Sequence, residues 1–147
     1  MFDPDKFMES VTSEAGSTKV EPIPSGEYLA IIDDTKVSQP GNAQSPLLEV
    51  HYLLQDEELK KKLGRQQLKV RQSIWLDTTE NGGMDMAKGK NVKLGRLREA
   101  LGMNQAGKPF KLSMLKGAGP LKVQVTLRPN KDAPDVIYND VGNVGKA

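Results

Sequence analysis

Between positions 121 and 128 the chain alternates without a break, with Leu121, Val123, Val125 and Leu127 set against Lys122, Gln124, Thr126 and Arg128. Successive side chains of a strand point to opposite faces, so such a run needs one buried face and one wet face. Residues 47–54 repeat the pattern, with Leu48, Val50, Tyr52 and Leu54 together on one face. So do residues 68–76: Leu68, Val70, Ile74 and Leu76, interrupted only by Gln72, oppose Lys69, Arg71, Ser73 and Trp75. Residues 27–32, rich in β-formers, and 136–141 complete a set of five strands.

Helical signals are fewer. Asp56 precedes Glu57-Glu58-Leu59-Lys60-Lys61-Lys62-Leu63-Gly64. A cap, an acidic first turn, a basic last turn and a glycine stop predict a short helix there. Pairing of Glu57 with Lys61 and of Glu58 with Lys62 accounts for the lysine run without a ligand. Leu94, Leu97 and Leu101 recur at helical spacing between Asn91, a candidate cap, and Gly102, a stop. Residues 110–115 fit either a short helix or an extended segment.

The resulting order is three strands, a main helix, then two strands. Five strands are too few for a typical β-sandwich, which has about seven. The expectation is therefore a mainly β chain: an OB-like five-stranded barrel with one main helix between strands 3 and 4. Residues 1–24 read as an N-terminal arm and linker, and 25–147 as the OB-like domain. In the arm, Asp3 caps a short helix with Pro4 in its first position, and Phe7 and Val11 fall four apart.

Composition narrows the chemistry. The chain has 147 residues, no cysteine and one histidine, which removes disulfides, thiolate nucleophiles and multi-histidine metal sites. No apolar run approaches the ~18 residues of a membrane span. The first residues lack a secretory pattern, so the cytoplasm is the expected compartment. Net charge is only +2, so a polyanion partner would require charge that is arranged rather than abundant.

Catalytic motifs are poor. His51 stands two residues from Glu49 on one strand face, an acid–base pair without a nucleophile motif around it. The pairs and singles Asp33, Asp34, Asp132, Asp135 and Asp140 lack a recognised ligand spacing. Gly83-Met84-Asp85-Met86-Ala87-Lys88-Gly89-Lys90-Asn91 fails as a phosphate loop, because the glycine spacing is wrong and Asn91 replaces the magnesium-binding hydroxyl. No enzyme activity, metal or cofactor is expected. Lys88 and Lys90, just before a helix start, remain candidates for contact with a phosphate.

The strongest functional signal is positional. The outward sets of the third and fourth strands hold Lys69, Arg71, Trp75, Lys122 and Arg128 and no acid. An exposed indole beside cations suits sequence-independent single-strand binding by base stacking and phosphate neutralisation. OB domains bind on strands 2 and 3 and on the loops joining strands 1–2 and 4–5. Those loops are residues 38–45 and 129–134 here, the second containing Lys131. The competing reading buries Trp75 beneath the arm or the long polar loop of residues 78–89 and leaves ordinary solvated lysines and arginines.

Several stretches resemble small proteins from the replication and recombination modules of tailed bacteriophages and prophages, some of them described as single-stranded DNA-binding. They are Met1-Phe2-Asp3-Pro4-Asp5-Lys6-Phe7, Pro22-Ile23-Pro24-Ser25-Gly26-Glu27-Tyr28, Lys69-Val70-Arg71-Gln72 and Pro109-Phe110-Lys111-Leu112-Ser113-Met114-Leu115. The most specific block is Lys88-Gly89-Lys90-Asn91-Val92-Lys93-Leu94-Gly95-Arg96-Leu97-Arg98-Glu99-Ala100-Leu101-Gly102. The resemblance implies an OB-like fold and a role in DNA metabolism within a phage-infected bacterium, and it carries no binding residues with it. Unlike bacterial single-strand binders, this chain shows no acidic C-terminal tail. The expected partners are single-stranded DNA and, through the N-terminal arm, replication or recombination proteins. No membrane is expected, and homo-oligomerisation stays open. The alternative is a non-catalytic OB-like interaction or structural module that binds a replication, recombination or virion protein.

Overall fold

A long strand that must pair along both edges organises this chain. The computed structural model describes residues 1–16, 20–41 and 44–147. Its elements are α1 (Pro4–Met8), β1 (Gly26–Ser38), β2 (Leu47–Leu54), α2 (Glu57–Leu63), β3 (Lys69–Trp75), α3 (Val92–Ala100), a 3-10 turn (Leu112–Leu115), β4 (Leu121–Pro129) and β5 (Ile137–Lys146). The first part of β1, Gly26 to Ala30, pairs with β4, and Ala30 to Ser38 pairs with β2, with a bulge between Ile32 and Asp34. The sheet is antiparallel throughout, with strand order β3-β2-β1-β4-β5.

Beyond Ala30 the free edge of β1 is occupied by the segment that leads into β4. Ile32 N–H donates to the Ala118 carbonyl at 2.9 Å, and Gly117 N–H donates to the Ile32 carbonyl at 2.8 Å. Gly119 follows at φ +140°, where a Cβ would stand 3.1 Å from both the Ala30 oxygen and the Ile31 Cα. Only glycine allows that approach.

The alternating strands bury the faces that the sequence indicates: Leu48, Val50, Tyr52 and Leu54 on β2, Val70 and Ile74 on β3, and Leu121, Val123 and Val125 on β4. Leu94, Leu97 and Ala100 of α3 close the same core. Leu127 breaks the pattern and is exposed. The reason is register: β1 stops covering β4 at Val125, so Leu127 belongs to a two-stranded ribbon formed with β5. Gln72, the polar interruption on β3, is buried and accepts a 2.7 Å hydrogen bond from the Tyr52 hydroxyl. Burial holds that phenol well above its usual pKa.

Several local expectations change. The barrel is not closed by backbone hydrogen bonds: among the described residues β3 and β5 share no ladder, although they approach each other. The last strand runs on to Lys146 rather than stopping at Val141, because residues 142–146 continue the pairing with β4 across a bulge. Helix α1 ends at Met8, so Val11 lies beyond it. Phe7 instead packs on Phe2, with ring centroids 5.3 Å apart. In α2 Asp56 and Gly64 cap as expected, but the ion pair is Lys60 to Glu57 at 2.9 Å, three residues apart. Ile23, read from sequence as linker, is buried in the core, and the Asn139 amide bonds its backbone N–H and carbonyl, each at 2.8 Å. No helix among the described residues is long and apolar enough to cross a membrane.

Candidate nucleic-acid interface

The side chains available for binding are fixed by strand parity. On β3 the odd positions face out, so Lys69, Arg71, Ser73 and Trp75 are all exposed, and the indole retains 54% of its surface. It is not walled in beneath the arm or the loop. At the opposite edge of the sheet, Arg128 stands directly across the ribbon from Tyr138, which is 47% exposed.

Because β3 and β5 face each other without pairing, a polar cleft of about 260 Å³ opens between them. Arg71 and Ser73 come from one wall, Arg128, Tyr138 and Asp140 from the other, and Lys93 reaches in from the first turn of α3. Three cations and one carboxylate therefore line one slot. Trp75 lies two residues beyond Ser73 on the same outward face of β3.

The acid-free character of the outward sets does not survive folding, because acids arrive from neighbouring strands. Asp33 of β1 lies 3.4 Å from the Lys69 ammonium, and Asp140 of β5 lies 3.0 Å from Arg128 Nε. Glu49 of β2 is 3.9 Å from Arg71 and 3.6 Å from His51. Each expected track cation on β3, and Arg128 on β4, thus begins with a partner. Pairs of this exposed kind are weak, typically below about 1 kcal/mol, so a phosphate can compete for them.

The expected residues do not share one surface. Arg71 and Arg128 meet in the cleft. Lys122 lines a separate shallow depression beside Glu27 and Asn143. Lys131 sits in the exposed turn between β4 and β5, and Lys88 and Lys90 are exposed in the loop before α3. Part of the expected 38–45 loop, Asn42 and Ala43, lies outside the described residues. Lys93 and Tyr138 were not singled out from sequence. A cation on an amphipathic helix and a tyrosine on a terminal strand carry no local mark of function.

Asn91 also departs from its expected role. Its side chain makes no cap hydrogen bond, and its backbone is left-handed at φ 52°. Instead it is buried as a clamp on the loop before α3. Its Nδ2 donates to the carbonyls of Asp77 at 2.9 Å and Asp85 at 2.8 Å, and its Oδ1 accepts from Asp77 N–H at 2.8 Å. Its own N–H donates to the Asp77 carboxylate at 2.8 Å. The clamp fixes the entry into α3, and with it the position of Lys93.

The described residues include no group of three histidine or acidic side chains placed to hold a metal. Neither a protein-family model nor a curated protein matches the chain.

Proposed function

We propose that this chain binds single-stranded DNA without sequence preference, in the cleft between β3 and β5, and serves a phage replication or recombination system without enzymatic activity. The observation that carries the reading is the convergence of Arg71, Lys93 and Arg128 in one slot, with Tyr138 within it and Trp75 beyond its β3 wall. Cations spaced along a groove track phosphates, and exposed rings at its margins stack on bases. The strand order, with its two edges facing across the slot, supports an open OB-like barrel. The resemblance to phage replication-module proteins supports the biological setting.

The test is fluorescence anisotropy of a labelled oligothymidylate at two salt concentrations. Binding is expected at about 50 mM salt, with log K falling linearly as log salt rises. Trp75→Ala and Tyr138→Ala should each weaken it by about 1–3 kcal/mol, the worth of one stacked base. Absence of binding at low salt, or binding indifferent to salt, overturns the proposal. Duplex DNA and RNA of equal length define the preferred strand.

The exposed aromatic pair of the arm, Phe2 before α1 and Phe7 within it, favours a second reading, a non-catalytic OB-like module that binds a replication, recombination or virion protein. It predicts partner capture lost on deletion of residues 1–20, with no affinity for oligonucleotides at any salt.

A further inference from the structure

Helix α1 and the residues that lead into it carry exposed apolar side chains with nothing to lean on. None of its residues is buried, and Phe2 and Phe7 remain 68% and 64% exposed while stacked on each other. The same segment holds Asp3, Asp5 and Glu9 against a single lysine, Lys6. It is acidic and aromatic together.

The body of the molecule carries a surface of the opposite character. A groove of about 560 Å³, separate from the β3–β5 cleft, is lined by Met84, Met86, Arg98, Lys108 and Phe110. Arg98 is only 8% exposed, and its guanidinium lies 4.3 Å from the centre of the Phe110 ring. Its Nε donates to the Met103 carbonyl at 3.2 Å, and among the described residues no carboxylate lies within ion-pair distance of it. A nearly buried guanidinium without a counter-ion is costly, and its remaining donors suit a carboxylate in a two-pronged geometry. Methionines adapt to aromatic side chains of varied shape. The groove therefore fits a short helix that offers aromatic anchors and acids.

We propose that the N-terminal arm of one copy docks in this groove on a second copy, α1 lying helix-in-groove with Phe2 and Phe7 against Met84, Met86 and Phe110 and an arm carboxylate on Arg98. Charge complementarity selects the arm, and one fact selects a second molecule. In the single chain α1 buries nothing on its own body. The intervening residues 9–22 can span up to ~50 Å when extended, so they are long enough to reach such a neighbour from a domain whose radius of gyration is on the order of 15 Å. Reciprocal exchange gives a closed dimer, and one-way docking gives an open chain of copies.

The experiment is sedimentation velocity of the full chain without nucleic acid, from a few micromolar to several hundred micromolar. Wild type is expected to associate with rising concentration. The double variants Phe2→Ser/Phe7→Ser and Met86→Glu/Lys108→Glu, all at exposed positions, should each stay monomeric over a range at least tenfold higher. An equimolar mixture of the two should regain association, because one supplies the groove and the other the arm. A monomeric wild type throughout overturns the proposal, as does association that survives either double variant. A monomer in which arm variants shift the amide resonances of residues 84–110 also overturns it, by assigning the arm to its own groove. Both variants should bind a short oligothymidylate as wild type does, so this outcome is read independently of the nucleic-acid proposal.

Discussion

Tyr52 and Gln72 solve a problem of parity. Residue 72 falls on the inward face of β3, where a polar group is tolerated only if its hydrogen bonds are met, and the Tyr52 hydroxyl directly supplies one. Tyr52→Phe keeps the ring and strands the amide, so it should destabilise the fold by about 1–3 kcal/mol, measured by urea denaturation. It should also change the alkaline limb. The fold holds the neutral phenol, whereas the unfolded chain ionises from about pH 10, so stability present below that pH is lost as pH climbs toward the raised folded-state value. Thermal melts from pH 7 to 11 should fall less steeply above pH 10 in Tyr52→Phe than in wild type. Gly119 imposes a harder constraint: Gly119→Ala places a methyl against the backbone of β1 at a φ that L-residues avoid, at a cost of about 1–3 kcal/mol. Denaturant midpoints measure it.

At the scale of elements, the segment from Asp77 to Asn91 holds a Thr78–Met84 bridge and short turns, and the Asn91 amide ties Asp77 and Asp85 within it to the start of α3. Asn91→Ala removes three side-chain hydrogen bonds, so the loop should loosen while the sheet persists. The expected readout is faster amide exchange and proteolysis between residues 78 and 90, with a stability loss of about 2 kcal/mol. Sequence rules for capping name Asn91 but assign it the wrong task, because its partners are fourteen and six residues away and left no local trace. The strands were legible for the opposite reason. A period of two is a local property, and Leu48, Val50, Tyr52, Val70, Ile74 and Val123 all fall where it puts them. Leu127 was misread because burial depends on where β1 stops, a fact of register that β4 cannot encode alone. The candidate site divides along the same line: the outward Arg71 and Trp75 follow from parity, whereas the meeting of Arg71 with Arg128, Tyr138 and Lys93 depends on two edges that are far apart in sequence.

At the scale of the molecule, charge is interleaved rather than segregated. Any polyanion entering the cleft must displace Asp140 from Arg128 and Glu49 from Arg71. Asp140→Asn should therefore tighten oligothymidylate binding several-fold and steepen its salt dependence by roughly one unit of slope, since one more cation then meets phosphate with its counter-ion released. Anisotropy titrations at four salt concentrations read both quantities. The unzipped side of the sheet has a mechanical meaning as well. Backbone ladders hold β1 on both flanks, while among the described residues no ladder joins β3 to β5. The gap can thus widen or tighten without breaking a β3–β5 ladder, so its walls are free to adjust to the girth of whatever threads between them.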